Sequence, residues 1–321
     1  MSAPSVLDFD LSLQEAYDRL PPDGKTYAHV KRDVEARYFG LARGGCPFRF
    51  LLLDERGRLS VFPCSHAAAF LWGVHYFERN DARLWIRRPF HARWVADPEL
   101  RRVSGYDFDP LGLQKGIHNL FRGFEAGFLP AVPEGEEEAL CGCVHAHVLR
   151  VLADGSAEAA GMLTDWLAGL VQRPGRMSQV SPVLVGGRAN LFVRWFRCAV
   201  VGERYSSSDG TDPQCLVNRL LVHVDSRWAV EPMLVFLIKS PTIKELVGEG
   251  VRDVRNYTNA VFTTTSELIL QHIPDRSAFP VLVCSNALCG DVGYFDRLEA
   301  RLADPWVQRA YFQSLLRRRL A

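Results

Sequence analysis

The 321-residue chain exceeds one typical domain, so its length predicts a small domain beside a core of about 150 residues. Hydrophobic residues make up 48% and charged residues 23%, a globular composition that excludes disorder as the general state. Lys+Arg 38 against Asp+Glu 37 leaves a formal charge of +1, which excludes a global electrostatic pull toward nucleic acid and confines any such contact to local patches.

The start, Met1-Ser2-Ala3-Pro4, lacks a basic segment followed by an apolar core. No run of about 18 apolar residues occurs, so the expectation is an intracellular protein with no membrane partner. Its eight cysteines are scattered, which predicts reduced thiols rather than a disulfide framework.

In chain order, residues 6–27 read as a helix broken at Pro21-Pro22. Residues 38–41, 48–53 and 59–62 read as the strands of a β-meander, with a turn at 54–57. Residues 65–76 read as a helix, and prolines at 98 and 110 end the connectors that follow. Glu134 to Glu138 puts acids in the first turn of a helix running to about Leu152, and a second helix spans 158–171 before Pro174-Gly175. From Ser181 the pattern becomes strand (183–185), glycine turn, aromatic helix (192–201), then a strand (220–225) ending in an acid. Further strands are expected at 260–264 and 280–284, and two helices from 294 to 320. This order predicts an α/β fold of the phosphate-loop NTPase type, AAA+-like, with a central parallel sheet. The expected domains are an N-terminal α+β domain (1–92), a linker and helical pair (93–175), the ATPase-like core (176–290) and C-terminal helices (291–321).

A set of phrases recurs in a shared order: Trp94 with Pro98, Phe108-Asp109-Pro110, His118 to Phe124, and Trp166 to Gly175 ahead of the glycine turn. Ser240 to Ile243, Val254 to Tyr257, Tyr294-Phe295-Asp296 and Ala310-Tyr311-Phe312 come after it. Over roughly residues 30–321 the chain resembles superfamily 3 helicases, the viral and phage primase-helicases including the poxvirus-type C-terminal region. The resemblance implies ATP-dependent DNA unwinding, hexameric rings and a place in viral or mobile-element replication, in host cytoplasm or nucleus.

Position by position, that chemistry is missing. A working loop needs G-x-x-x-x-G-K-[ST], its glycines admitting phosphate, its Lys reaching the terminal phosphates and its hydroxyl holding Mg²⁺. Here the loop is Gly186, Gly187, Arg188, Ala189, Asn190, with Leu191, Phe192 and Val193 where Gly, Lys and Ser or Thr would stand. Arg188 is the one loop residue able to pair with phosphate, against the plainer reading of a solvated side chain. Asp225 keeps the place of the metal-organising acid but Ser226 follows it, and a lone Asp at a strand end is also a common capping residue. The resemblance would place an Asn after the strand at 260–264, where Thr265 or Ser266 stands, and an arginine pair of which only Arg276 remains. These vestigial positions predict a pseudo-ATPase with no cofactor; Mg-ATP enters only if a divergent active ATPase uses Arg188 and Asp225.

Two other clusters invite chemistry. Cys141, Cys143, His145 and His147 are zinc-type ligands, yet on a helix alternate residues point about 200° apart and do not converge on one ion. The run from Arg83 to Arg93, with Arg87, Arg88, Trp85, Phe90 and Trp94, and the cluster Arg317-Arg318-Arg319 can contact a nucleic-acid backbone and stack bases, or simply be solvated ends and buried rings. The functional expectation is therefore a non-hydrolysing, oligomeric or DNA-contacting helicase-like subunit, alone or beside a catalytic helicase or primase. An active divergent helicase and a repurposed structural or virion protein are the alternatives.

Overall fold

The computed structural model describes residues 24–36, 38–41, 49–53, 59–63, 66–115, 117–208, 216–225, 240–247, 250–266, 273 and 275–320. The expected helix at 6–27 falls almost wholly outside them, as do the turn at 54–57 and Ser226. The chain divides into two compact units, one of Met1–Asp107 with Lys115–His118 and the other of Phe108–Gln114 with Asn119–Ala321.

In the first unit, helix α1 (Tyr27–Glu35) leads into strands β1 (Tyr38–Leu41), β2 (Arg49–Leu53) and β3 (Leu59–Pro63), an antiparallel meander. A hairpin of β4 (His75–Arg79) and β5 (Trp85–Pro89) runs directly into α2 (Phe90–Ala96), and β6 (Arg102–Val103) closes the meander sheet in parallel beside β1. The reading of residues 65–76 as one helix is corrected: the helical turn covers only Ala67–Phe70, and His75 and Tyr76 belong to β4. Alternation of buried Tyr76 with half-buried neighbours suits a strand, not a helical face. The core gathers Val30, Val34, Leu71, Tyr76, Leu100 and the fully buried Phe90 and Trp94, which lie four residues apart and so share one face of α2. Trp94 Nε1 donates to Glu35 at 3.1 Å, while Asp97 accepts from Tyr27 and from Lys31 at 2.9 Å. Burial alone would raise the Asp97 carboxyl, but those hydrogen bonds hold it down at about 2.

The second unit opens on α3 (Glu137–His147), prolonged by a π-helical turn over Val148–Leu152, and α4 (Ala157–Gln172), whose first turn is capped by the Ser156 hydroxyl. Then come β7 (Val183–Val185), α5 (Ala189–Trp195) and the short β8 (Ser206–Ser207). They are followed by β9 (Leu221–Asp225), the hairpin β10 (Thr242–Val247) with β11 (Gly250–Arg255), β12 (Asn259–Thr264) and β13 (Val281–Val283). Five of these strands form an all-parallel sheet in the order β8-β9-β12-β7-β13. With helices packed on it this is an α/β, NTPase-like core. Strands β7 and β12 are buried at almost every position, as parallel strands covered on both faces must be. Ile243 and Val254 of the hairpin join the same core as Val183, Val222 and Phe262.

The chain ends in α6 (Val292–Leu302), capped by Asp291, and α7 (Pro305–Arg317), capped by Asp304 with Pro at its first position. Helix α7 is tied down by buried polar contacts: Gln313 Oε1 accepts from Val132 N at 2.8 Å and its Nε2 donates to Val132 O at 3.1 Å. Among the described residues no helix is long and apolar enough to cross a membrane.

Candidate functional site

Parallel pairing sets which residues meet at the carboxyl edge of the sheet. Asp225 stands beside Thr263, and Thr264 beside Val185, so the ends of β9, β12 and β7 come together there. In an open α/β sheet this is the edge at which ligands bind. The structure thus brings the glycine turn, Asp225 and the end of β12 to one edge of the sheet.

The turn itself is tight. Gly186 N donates to Thr264 O at 2.8 Å, and a Cβ on Gly186 would lie 2.7 Å from Cys284 Cβ, so glycine is required there by the approach of the chain after β13. A Cβ on Gly187 would meet nothing within 4 Å. Asn190 is exposed in the first turn of α5. Arg188 is also exposed, and its guanidinium lies 4.7 Å from the Phe295 ring centroid on α6.

Beyond the turn the polar path stops. Phe192 and Val193 are 1% and 3% exposed. The Phe192 ring lies among Trp195 at 5.7 Å, Tyr311 at 6.2 Å, and His147 and Phe196 at 6.3 Å. Between α4, α5 and the sheet lies an apolar void of about 10 Å³, lined by Leu163, Leu184, Phe192, Val261 and their neighbours. Such a space is at the lower limit for a single water, offers it no polar partner, and is far too small for phosphate.

Two buried imidazoles flank this region: His147, weighed in the sequence only as a zinc-type ligand, and His223, which drew no functional reading. His147 is fully buried; its Nδ1 is 3.0 Å from the Tyr294 hydroxyl while Nε2 has no partner, and burial pushes its pKa down to about 4. His223 on β9 sits 2.8 Å from the Thr263 hydroxyl, and burial lowers it likewise to about 4. A polar residue inside an otherwise apolar strand was the available signal at His223. Burial also pushes the Cys284 thiol, beside Gly186, up to about 12, which removes it from thiolate chemistry.

The remaining sequence candidates are dispersed. Cys141, Cys143, His145 and His147 lie along α3, with Cys141 Sγ 3.4 Å from His145 Nε2 one turn away. Arg276 is exposed in the turn before β13. Of the terminal cluster, Arg317 pairs with Glu137 and Arg318 with Asp165, leaving Arg319 exposed. Arg88 pairs with Glu78 at 2.9 Å, whereas Arg87 lies 3.1 Å from His75 Nδ1. Phe90 and Trp94 are corrected from base-stacking candidates to core side chains, since both have 0% exposure.

A cleft of about 710 Å³ runs along α4 and the segment 173–180 and reaches Asn259 at the start of β12, the opposite edge of the sheet from Gly186. A second, of about 220 Å³, lies between α3 and α6, lined by Cys143, Tyr294 and the stems of Arg150, Arg297 and Arg301.

No protein-family model matches the sequence, and no curated protein is similar to it. Solved structures are. The apo structure of the NrS-1 C-terminal region (305–718) superposes with a TM-score of 0.60 at 14% identity, over 93% of this chain and 71% of that one. The A-form apo structure of the same region gives 0.60 at 16% identity, over 92% and 71%. A further A-form structure gives 0.61 at 14% identity, over 91% and 72%. The chain shares the fold of the NrS-1 C-terminal region. At this identity the likeness concerns the fold; the chemistry rests on the residues above.

Proposed function

We propose that this chain is a superfamily 3 helicase-like protein that does not hydrolyse ATP and acts in viral or mobile-element DNA replication as an oligomeric or DNA-contacting subunit. One observation carries the reading: Phe192, at the position of the phosphate-binding lysine, is packed into the core beneath the turn. A benzyl group there neither neutralises phosphate nor leaves it solvated. Val193, at the position of the metal-binding hydroxyl, is equally buried and is no ligand for a hard cation. The fold is then retained as a scaffold for assembly and nucleic-acid contact, at the replication site of the host cell.

Calorimetric titration with Mg²⁺-ATP tests this, with no saturable binding expected. Micromolar affinity abolished by Arg188→Ala overturns it in favour of a divergent active ATPase. That second reading draws its support from the exposed Arg188 on the turn and the exposed Asp225 at the same sheet edge.

A further inference from the structure

The pocket of about 220 Å³ between α3 and α6 takes its walls from one face of each helix. Tyr294, Arg297, Leu298 and Arg301 recur at helical spacing along α6, and Cys143, Ala146 and Arg150 do so along α3 and its π-helical turn. Leu298 is buried, and the Tyr294 hydroxyl lies 3.0 Å from Nδ1 of the buried His147, so the apolar wall is held in place from behind. The three arginines are exposed.

Among the described residues no carboxylate forms an ion pair with any of them. Arg301 donates to Leu140 O at 3.0 Å, and the side chains of Arg150 and Arg297 have no hydrogen-bond partner there. Arg297 and Arg301, four residues apart, are a like-charge pair that by itself destabilises a helix. The acids of α6 do not offset it: at about 100° per residue Asp296 and Glu299 fall on the far side of the helix, and Asp291 accepts from Tyr294 N at 2.8 Å as its cap. Three cations lining one pocket are stabilised together only by an anion among them. The volume lies below the roughly 300–1,000 Å³ of pockets that take drug-sized ligands, so the occupant is a single charged group with a small body. A carboxylate brings one charge and two oxygens. A phosphate monoester brings a charge of about −1.5 to −2 and three acceptor oxygens, one for each guanidinium.

We propose that this pocket binds the phosphoryl group of a phosphate monoester, held by Arg150, Arg297 and Arg301, with the ester's organic body against Tyr294 and Leu298. The monoester is either a small free molecule or the 5′-phosphate end of a nucleic-acid strand, which carry the same chemistry. The site is separate from the glycine turn and stands whether or not that turn binds nucleotide.

Calorimetric titration of the full chain with phenyl phosphate at low salt tests it, with saturable binding expected. Arg150→Ala and Arg297→Ala, exposed side chains whose loss should not disturb folding, are each expected to weaken it about 10-fold, and Arg297→Lys, which keeps the charge but loses the planar fork, by less. Arg173→Ala, an equally exposed arginine beside the separate 710 Å³ cleft, should leave the affinity near the wild-type value. Equal weakening by Arg173→Ala reduces the effect to net charge and overturns the site, as does wild-type affinity in Arg150→Ala and Arg297→Ala together. Benzoate bound as tightly as phenyl phosphate overturns the phosphoryl assignment. No saturable binding of phenyl phosphate by the wild-type chain overturns the proposal outright. A 5′-phosphorylated oligothymidylate bound more tightly than its 5′-hydroxyl counterpart, with the difference lost in Arg297→Ala, supports the site with a strand end as the source. Equal affinity for the two strands beside Arg297-dependent binding of phenyl phosphate supports it with a small free ester.

Discussion

At the turn after β7, residues expected to be polar give way to a fully buried Phe192 among aromatic neighbours. On the hairpin β4–β5 the opposite holds: Phe77 and Trp85 stand on the face away from α1 and α2, with Arg87 beside them. Aromatic side chains are large apolar bodies in both places. What differs is the surrounding charge: none lies against the Phe192 ring, whereas the Arg79 guanidinium lies 5.1 Å from the Trp85 ring. The same residue class therefore fills the core in one place and stands half-buried on a strand face in the other.

The most severe way to break that comparison is to place a lysine at position 192. Phe192→Lys is expected to cost about 3–5 kcal/mol or more in urea denaturation, because it removes a buried ring and buries an ammonium in its place. It should gain no Mg²⁺-ATP binding. A variant as stable as the wild type that binds nucleotide would mean that the space beneath the turn is open after all.

Acid should separate the two regions next. His147 and His223 titrate near 4 in the folded state against about 6.5 when unfolded, so the unfolded chain takes up protons first as pH falls. Stability contributed by the neutral buried rings is complete above about pH 6.5, declines toward pH 4 and then levels off, at about 3 kcal/mol for each ring. Asp97, held at about 2, contributes stability that is complete above its unfolded value of 3.8 and lost only between there and 2. The second unit should thus weaken at mildly acidic pH while the first does not. Denaturation midpoints measured from pH 7 to 4 check this, and a His147→Gln, His223→Gln double variant should flatten the dependence.

The glycine turn offers a milder contrast. Gly186→Ala forces a Cβ against Cys284 and should cost about 1–3 kcal/mol, whereas Gly187→Ala, with open space around it, should stay within about 0.5 kcal/mol. Equal effects at the two positions would remove the packing explanation for Gly186. The smallest effect concerns Tyr311, whose buried hydroxyl lacks a partner beside Phe192. Tyr311→Phe should leave thermal stability unchanged or raise it by up to about 1 kcal/mol, since an unsatisfied hydroxyl is removed at constant shape.

Much of the second unit was legible because its elements are written in local signals. Apolar runs at 183–185 and 260–264 mark buried parallel strands, Ser156 and Asp291 cap helices, and Asp304-Pro305 starts the last one. The order of strand, glycine turn and helix is likewise local, so the NTPase-like class could be read directly.

The hairpins could not. The β4–β5 turn has no glycine, and Arg83 takes a left-handed conformation with φ 60° where glycine would be the usual signal. The charge-rich strand after it therefore read only as a basic run. Hairpin β10–β11 was missed as well, because its recognition depends on packing Ile243 and Val254 against a distant sheet.

The sequence by itself determined that residues 186–193 carry no Lys and no hydroxyl side chain, since identity at a position is a local fact. Only the tertiary structure decided that Phe192 occupies core, that Arg88, Arg317 and Arg318 are matched by carboxylates, and that among the described residues Arg87 is not. Burial and ion pairing are set by residues remote in the chain, and no periodicity within one segment records which face another segment will cover.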